Sequence, residues 1–123
     1  MSRARILLVD DATTILMIEK MILSRGPYEL STARDGVEAV EQVRLEKPDL
    51  ILLDMMMPRM DGLAVLSELR NGESGNPIPI IMVTTRGEEE HISEAYTRGC
   101  TDYIVKPING IELLAKVRNY LGE

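Results

Sequence analysis

The 123-residue chain has no Trp and no Phe, and its four Tyr are its only aromatic residues. Its core must therefore come from Ile, Leu, Val and Met, and bases or a flavin ring would find little to stack on. A single cysteine, Cys100, can form neither an internal disulfide nor a structural zinc site, which fits a reducing compartment, the cytoplasm. Positive charge is in deficit as well. With 14 Lys plus Arg against 20 Asp plus Glu, a formal net charge of −6 and no Lys/Arg-rich stretch, the chain lacks the footprint of a direct nucleic-acid binder or of a protein of anionic membranes. No run approaches the ~18 apolar residues of a membrane span. The start, Met1-Ser2-Arg3-Ala4-Arg5, leads into an apolar run that is too short, and too soon met by Asp10 and Asp11, for a signal peptide.

What is present is the balance of a soluble globular protein: 45% apolar and 28% charged residues, in a length that suits one domain over residues 1–123. Short apolar runs alternate five times with segments of helical period, the pattern of an α/β fold with a parallel sheet. The predicted strands are Ala4 to Asp10, Tyr28 to Ala33, Leu50 to Asp54, Ile78 to Thr84 and Asp102 to Lys106. Strands one, three and four are almost wholly apolar, so both faces of the sheet are covered by helices.

Ile15, Ile18 and Ile22 mark helix one, Val65 and Leu69 helix three, and Leu114, Val117 and Leu121 helix five. Asp35 with Glu38 and Asn109 with Glu112 are capping boxes for helices two and five, and Asp61-Gly62 caps helix three. Gly99 ends helix four after Ile92, Ala95 and Tyr96. The Glu88-Glu89-Glu90-His91 start of that helix suits a helix N-terminus electrostatically but offers little to the core, so helix four is expected to be mobile. The cluster from Asn71 to Pro79 is a surface loop within the domain.

Open parallel sheets bind ligands beyond the carboxyl ends of their strands, where the strand order reverses. Strand one ends in Asp10-Asp11, strand three in Asp54, strand four in Thr84 and strand five in Lys106. A 2-1-3-4-5 order would make strands one and three neighbours and bring the three carboxylates together. Two carboxylates ~4 Å apart repel by about 4 kcal/mol at an effective dielectric of about 20, so three demand a cation. Oxygen ligands with open positions suit Mg²⁺, which is often completed by a phosphate oxygen. A carboxylate can also attack phosphorus to form an aspartyl-phosphate if positive charge meets the developing oxygens. Mg²⁺ and Lys106 would supply that charge, and the Thr84 hydroxyl a further hydrogen bond.

Taken singly, these residues have ordinary roles: Asp10 or Asp11 as a helix cap, Asp54 as a turn former, Thr84 as a strand residue, Lys106 as an edge guard, Tyr103 as an amphipathic edge residue. Five of them at the ends of the strands point jointly to function. His91 reads as a solvated surface residue, Cys100 as a packed side chain, Glu88 to Glu90 as a solvated face, and Met55 to Met57 mostly as packing.

Leu7-Leu8-Val9-Asp10-Asp11, Asp54-Met55-Met56-Met57-Pro58 with Met60-Asp61-Gly62, Met82-Val83-Thr84-Thr85 and Asp102-Tyr103-Ile104-Val105-Lys106-Pro107 occur in order. In these four motifs, and over essentially its whole length, the chain resembles the CheY-like receiver domain of bacterial two-component response regulators. The resemblance implies a flavodoxin-like doubly wound (βα)5 fold whose five parallel strands run 2-1-3-4-5; that order is taken from the family. It implies that Asp54 accepts a phosphoryl group from a sensor histidine kinase or phosphotransfer protein. Asp10, Asp11 and Asp54 would hold Mg²⁺ with the backbone carbonyl of Met56, and Lys106, in a cis peptide with Pro107, would contact the phosphoryl group. Phosphorylation would draw Thr84 inward and let Tyr103 swing toward the vacated space. The face of helix four, strand five and helix five would then shift to control a downstream protein target or self-association.

Two positions depart from the commonest family pattern. Thr85 stands where a smaller residue is usual, which tightens access to Asp54. Met56 and Arg86 occupy variable positions that influence loss of the phosphoryl group, and Met56 cannot orient a water, so slow self-hydrolysis is expected. The alternative reading is a pseudo-receiver, an interaction module that is never phosphorylated; the intact Asp10, Asp11, Asp54, Thr84 and Lys106 set argues against it. A phosphohydrolase would want an Asp-x-Asp pair after strand one and a cap domain, and a flavin binder would want a Ser/Thr/Gly phosphate loop. Neither a Walker loop nor G-x-G-x-x-G occurs. The chain is thus expected to be a signalling switch, not a turnover enzyme, without an output domain of its own: a stand-alone receiver or the receiver of a longer regulator.

Overall fold

A computed structural model describes residues 3–73 and 77–122. Five strands and five helices alternate: β1 (Ala4–Val9), α1 (Thr13–Leu23), β2 (Tyr28–Ala33), α2 (Gly36–Leu45), β3 (Leu50–Leu53), α3 (Gly62–Asn71), β4 (Ile80–Thr84), α4 (Glu89–Thr97), β5 (Asp102–Val105) and α5 (Gly110–Leu121). All four strand pairings are parallel, in the order β2-β1-β3-β4-β5. This is the flavodoxin-like doubly wound sheet expected.

The apolar strand runs divide by parity, because successive side chains of a strand point to opposite faces. Leu7, Val9, Ile51, Leu53, Ile80 and Met82 face one layer with Ala39 and Val40 of α2, Val65, Leu66 and Leu69 of α3, and Ala95 of α4. Ile6, Leu8, Leu50, Leu52, Ile81, Val83 and Ile104 face the other with Leu16 and Leu23 of α1 and Leu113 and Val117 of α5. Two dry layers on one sheet fix the register, since a slip of one residue would exchange the faces.

Strand ends fall one or two residues inside the expected ones. Asp10, Asp54 and Lys106 lie one residue past their strands, although their amides still bond to Ala33 (3.1 Å), Val9 (2.9 Å) and Thr84 (2.8 Å) carbonyls. β4 begins at Ile80, not Ile78, because Pro79 has no N–H to give and the Ile78 amide goes to the Glu73 carboxylate at 2.7 Å. Of the Asn71 to Pro79 loop, residues 74–76 lie outside the described residues, as do Met1 and Ser2 of the expected start.

Helix one is present as expected. It forms where Ile15, Ile18 and Ile22 mark it, but its fully buried residues are Leu16, Glu19 and Leu23, with Ile15 and Ile22 only partly covered and Ile18 exposed. α5 buries Leu113 and Val117, with Leu114 and Leu121 only partly covered. Asp35, Asp61 and Asn109 cap their helices, accepting from the Glu38, Ala64 and Glu112 amides at 2.9 to 3.0 Å. The return bond of the first box goes to the Arg34 amide at 3.5 Å, so it is loose. Gly99 closes α4 with φ of +105°, a conformation that favours glycine.

Candidate functional site

The reversal of strand order between β1 and β3 opens the crevice, and the carboxylates stand at its floor. Asp10 is 1% exposed and Asp54 5%, whereas Asp11, one residue on, is at the exposed rim. One oxygen from each of Asp10, Asp11 and Asp54 lies within 4.8 Å of the others. From the far side of the crevice Lys106 brings its Nζ to 2.9 Å from Asp10 Oδ2 and 3.6 Å from Asp54 Oδ1. Lys106 is therefore an inward partner of two acids, not an edge guard. The remaining Asp10 oxygen accepts from the Ala12 amide at 2.9 Å, which turns the chain into α1.

The electrostatics follow from burial. Desolvation first, then the charge of Asp10, pushes the Asp54 carboxyl up to about 6, against the pull of Lys106 and the Met56 and Met55 amides. Burial works to lower the Lys106 ammonium, but its hydrogen bond to Asp10 and the charges of Asp54, Asp10 and Glu19 outweigh it, leaving it raised. One ammonium against three converging carboxylates leaves net negative charge in an all-oxygen donor set, which fits a hard divalent cation such as Mg²⁺.

The other expected residues are placed as follows. Thr84 is fully buried at the end of β4, and its hydroxyl oxygen accepts from the Arg86 amide at 3.3 Å. Met56 is half exposed just beyond Asp54, and Thr85 is exposed. Gly62 backs the acceptor loop so closely that a Cβ there would sit 2.2 Å from the Asp54 carbonyl oxygen, which explains Asp-Gly at the head of α3. Lys106-Pro107 is a cis peptide. Tyr103 is already buried and donates its hydroxyl to the Arg86 carbonyl, so any inward swing would start from an inward position. Cys100 is buried, and burial pushes its thiol up to about 11, so it is inert. His91 is half-buried, and Glu88 to Glu90 are exposed.

Two residues escaped the sequence reading. Asp102, taken only as a strand start, accepts from Lys116 at 2.9 and 3.0 Å and from Tyr120 at 2.8 Å, tying α5 to β5, and reaches α4 only loosely through Tyr96 at 3.4 Å. Glu19 is a buried acid on α1 among leucines. Its only signal in sequence was a charged residue at the spacing of Leu16 and Leu23.

Fold and crevice together define a flavodoxin-like α/β domain with an acidic, cation-seeking site at the switch point of its sheet. The chain belongs to the response regulator receiver domain family, whose pattern matches residues 6–118. It is 42% identical over 120 residues to the probable transcriptional regulator ycf27 of Cyanophora paradoxa, covering 98% of this chain and 49% of that one. The alkaline phosphatase synthesis transcriptional regulatory protein PhoP of Bacillus subtilis is 38% identical over 117 residues, covering 95% and 48%. The chain thus spans about half the length of the curated relatives it matches. Among solved structures, chemotaxis protein CheY4 of Vibrio cholerae superposes with a TM-score of 0.89 at 32% identity, covering 97% of this chain and 99% of that one. The receiver domain of sensor histidine kinase PA1611 from Pseudomonas aeruginosa, with a magnesium ion coordinated in its active-site cleft, gives 0.89 at 28% identity, covering 99% and 100%. No helix among the described residues is long and apolar enough to cross a membrane.

Proposed function

We propose that this chain is a phosphoaccepting switch of a two-component system, taking a phosphoryl group from a histidine kinase or phosphotransfer protein onto Asp54. The observation that carries this reading is the convergence of the Asp10, Asp11 and Asp54 oxygens within 4.8 Å, with Lys106 bridging Asp10 and Asp54. Asp10, Asp11, Asp54 and the Met56 carbonyl would hold Mg²⁺, which when bound neutralises charge on the phosphoryl oxygens. A carboxylate oxygen of Asp54 forms the new bond to phosphorus while the donor imidazole nitrogen leaves with its electron pair. Lys106 meets the transferred group, and the Thr84 hydroxyl, whose oxygen is engaged by Arg86, keeps its proton free to donate. The chain assists this transfer and the later hydrolysis without being a turnover enzyme.

The phosphoryl group then biases the face of α4, β5 and α5 through Thr84 and Tyr103, controlling a protein target or self-association. A cytoplasmic setting agrees with the single free Cys100. Incubation with Mg²⁺ and acetyl phosphate, read by intact mass, should give one Mg²⁺-dependent adduct that Asp54→Ala lacks. With Met56 beside the acceptor, the adduct should outlast seconds at neutral pH. No adduct with any donor, together with no Mg²⁺ binding, would sink the reading in favour of a pure interaction module.

A further inference from the structure

β1, β3, β4 and β5 each lead into a residue of the acceptor crevice, whereas β2 leads into Arg34-Asp35-Gly36 at the head of α2. That turn nevertheless touches both loops that would carry the ligands of a cation. On the β1 side, the Asp10 amide donates to the Ala33 carbonyl at 3.1 Å and Arg34 Nη2 donates to the Asp11 carbonyl at 3.1 Å. On the β3 side, Asp35 Oδ2 accepts from Arg59 Nε at 3.1 Å and from Arg59 Nη2 at 2.8 Å. Asp35 Oδ1 meanwhile caps α2 through the Glu38 amide at 2.9 Å, so one carboxylate holds a helix and a loop at once.

Arg59 stands at the tip of the loop that runs from Asp54 to α3. Its φ of +66° lies in the left-handed region that favours glycine, and among the described residues it is the only non-glycine there. The tip is closed by the Met60 amide on the Pro58 carbonyl at 2.8 Å, and the whole loop by the Gly62 amide on the Met55 carbonyl at 2.8 Å. Gly36 lets the tip seat on α2, since a Cβ there would lie 2.1 Å from the Met60 carbonyl oxygen. Strained backbone persists where its surroundings over-determine it. A loop that needed only the turn would be better served by glycine at 59; arginine adds a side chain, and that side chain is committed to Asp35. With 61% of the Arg59 side chain exposed, the pair contributes little to the stability of the fold. What it does fix is where the loop lies.

We propose that Arg59 is a positioning residue of the acceptor site: clasped to Asp35, it holds residues 55–61 against the head of α2 and so sets the Met56 carbonyl in register with Asp10 and Asp11. This rests on the metal-binding reading given above. Mg²⁺ demands near-ideal octahedral geometry, so a ligand loop free to shift binds it less tightly. Charge alone predicts the opposite sign, because taking a cation away from the rim of an acidic crevice would tighten the binding of Mg²⁺. Weaker binding on loss of Arg59 is therefore the mark of positioning.

The test is calorimetric titration of MgCl₂ into the whole chain and its variants, alongside urea midpoints in EDTA. Arg59→Met should weaken Mg²⁺ binding about three- to fivefold, the range a half-exposed pair can supply. Asp35→Asn, which keeps the Oδ1 cap, should weaken it equally. The double variant should bind no more weakly than either single one, because all three lose the same contact. Arg59→Gly takes a φ of +66° without strain, so its midpoint should match or exceed that of the wild type while its Mg²⁺ binding falls as in Arg59→Met. Unchanged or tighter binding in the two Arg59 variants would overturn the proposal, as would losses of affinity that simply track losses of stability. Absence of Mg²⁺ binding by the wild type would instead overturn the metal reading, and the role of the clasp with it.

Discussion

Lys106 holds two carboxylates at once, and one of them, Asp10, is almost wholly buried. Replacing it with methionine would keep the packing of its stem and remove the cation, leaving Asp10 supported by the Ala12 amide. Breaking one side of a buried pair costs about 3 kcal/mol or more, because the remaining charge is stranded. Lys106→Met should therefore lower the urea midpoint markedly in metal-free buffer, and saturating Mg²⁺ should restore much of the loss by occupying the same carboxylates. Equal midpoints for the two proteins without Mg²⁺ would show that the pair contributes nothing. Asp10, Asp11, Asp54, Thr84 and Lys106 were all legible in sequence, since each stands at a strand end, where an apolar run gives way to a polar group. The Met56 carbonyl and Tyr103 enter the proposed site only through the family, because a backbone oxygen has no sequence signature and a tyrosine on an outer strand is ordinary. Glu19 was not legible, since a lone acid in a helix reads as a surface residue.

Elements differ in how firmly they are held, and α4 is the weakest case. Its one buried residue is Ala95, and its opening glutamates are exposed. Tyr96 reaches Asp102 only at 3.4 Å, whereas Asp102 is bound to α5 by Lys116 and Tyr120 at 2.8 to 3.0 Å. The polar clasp thus grips α5 and barely touches α4. Segments with few buried apolar contacts open at low free-energy cost. In hydrogen–deuterium exchange, the amides of α4 should exchange before those of α1 and α5; protection in α4 equal to that in α5 would contradict this. α1 shows why helix faces are harder to assign than helices. Thr13–Leu23 is apolar almost all round, so two stripes of helical period coexist in it. The period of Ile15, Ile18 and Ile22 marked the helix without naming its inner face, and Leu16 and Leu23 are the residues that join Leu8, Leu52 and Ile104 in one layer, with Ile22 partly covered. Helix three, with a single apolar stripe, left no such choice, and Val65 and Leu69 are buried as expected.

At the scale of the whole molecule, stability should follow the protons that folding takes up. Glu19 moves from 4.5 to about 8 on folding and Asp54 from 3.8 to about 6, both mainly through burial, so the folded chain binds more protons than the unfolded one across that range. Stability therefore falls as pH rises from about 4 to 8, by at most about 1.4 kcal/mol per pH unit for each proton held. The net charge of −6 acts in the same direction through self-repulsion. Asp35, held down by the Glu38 amide and Arg59, has the opposite sign. So has Asp102, where burial is outweighed by the hydrogen bonds of Lys116, the Tyr103 amide and Tyr120. Their contributions are present above the ordinary carboxylate range and are lost as pH falls below it. Opposing limbs place the maximum near pH 4 to 5 in the absence of metal. Urea midpoints in EDTA should accordingly decline from pH 5 to 8, and Glu19→Gln should flatten the part of the decline above pH 6. Mg²⁺ should lift the midpoint most at the alkaline end, because there Asp54 is ready to ionise and the cation binds the folded form alone. A metal-free midpoint that climbed steadily from pH 5 to 8 would mean that neither Glu19 nor Asp54 keeps its proton in the folded chain, and that the crevice is far wetter than its geometry indicates.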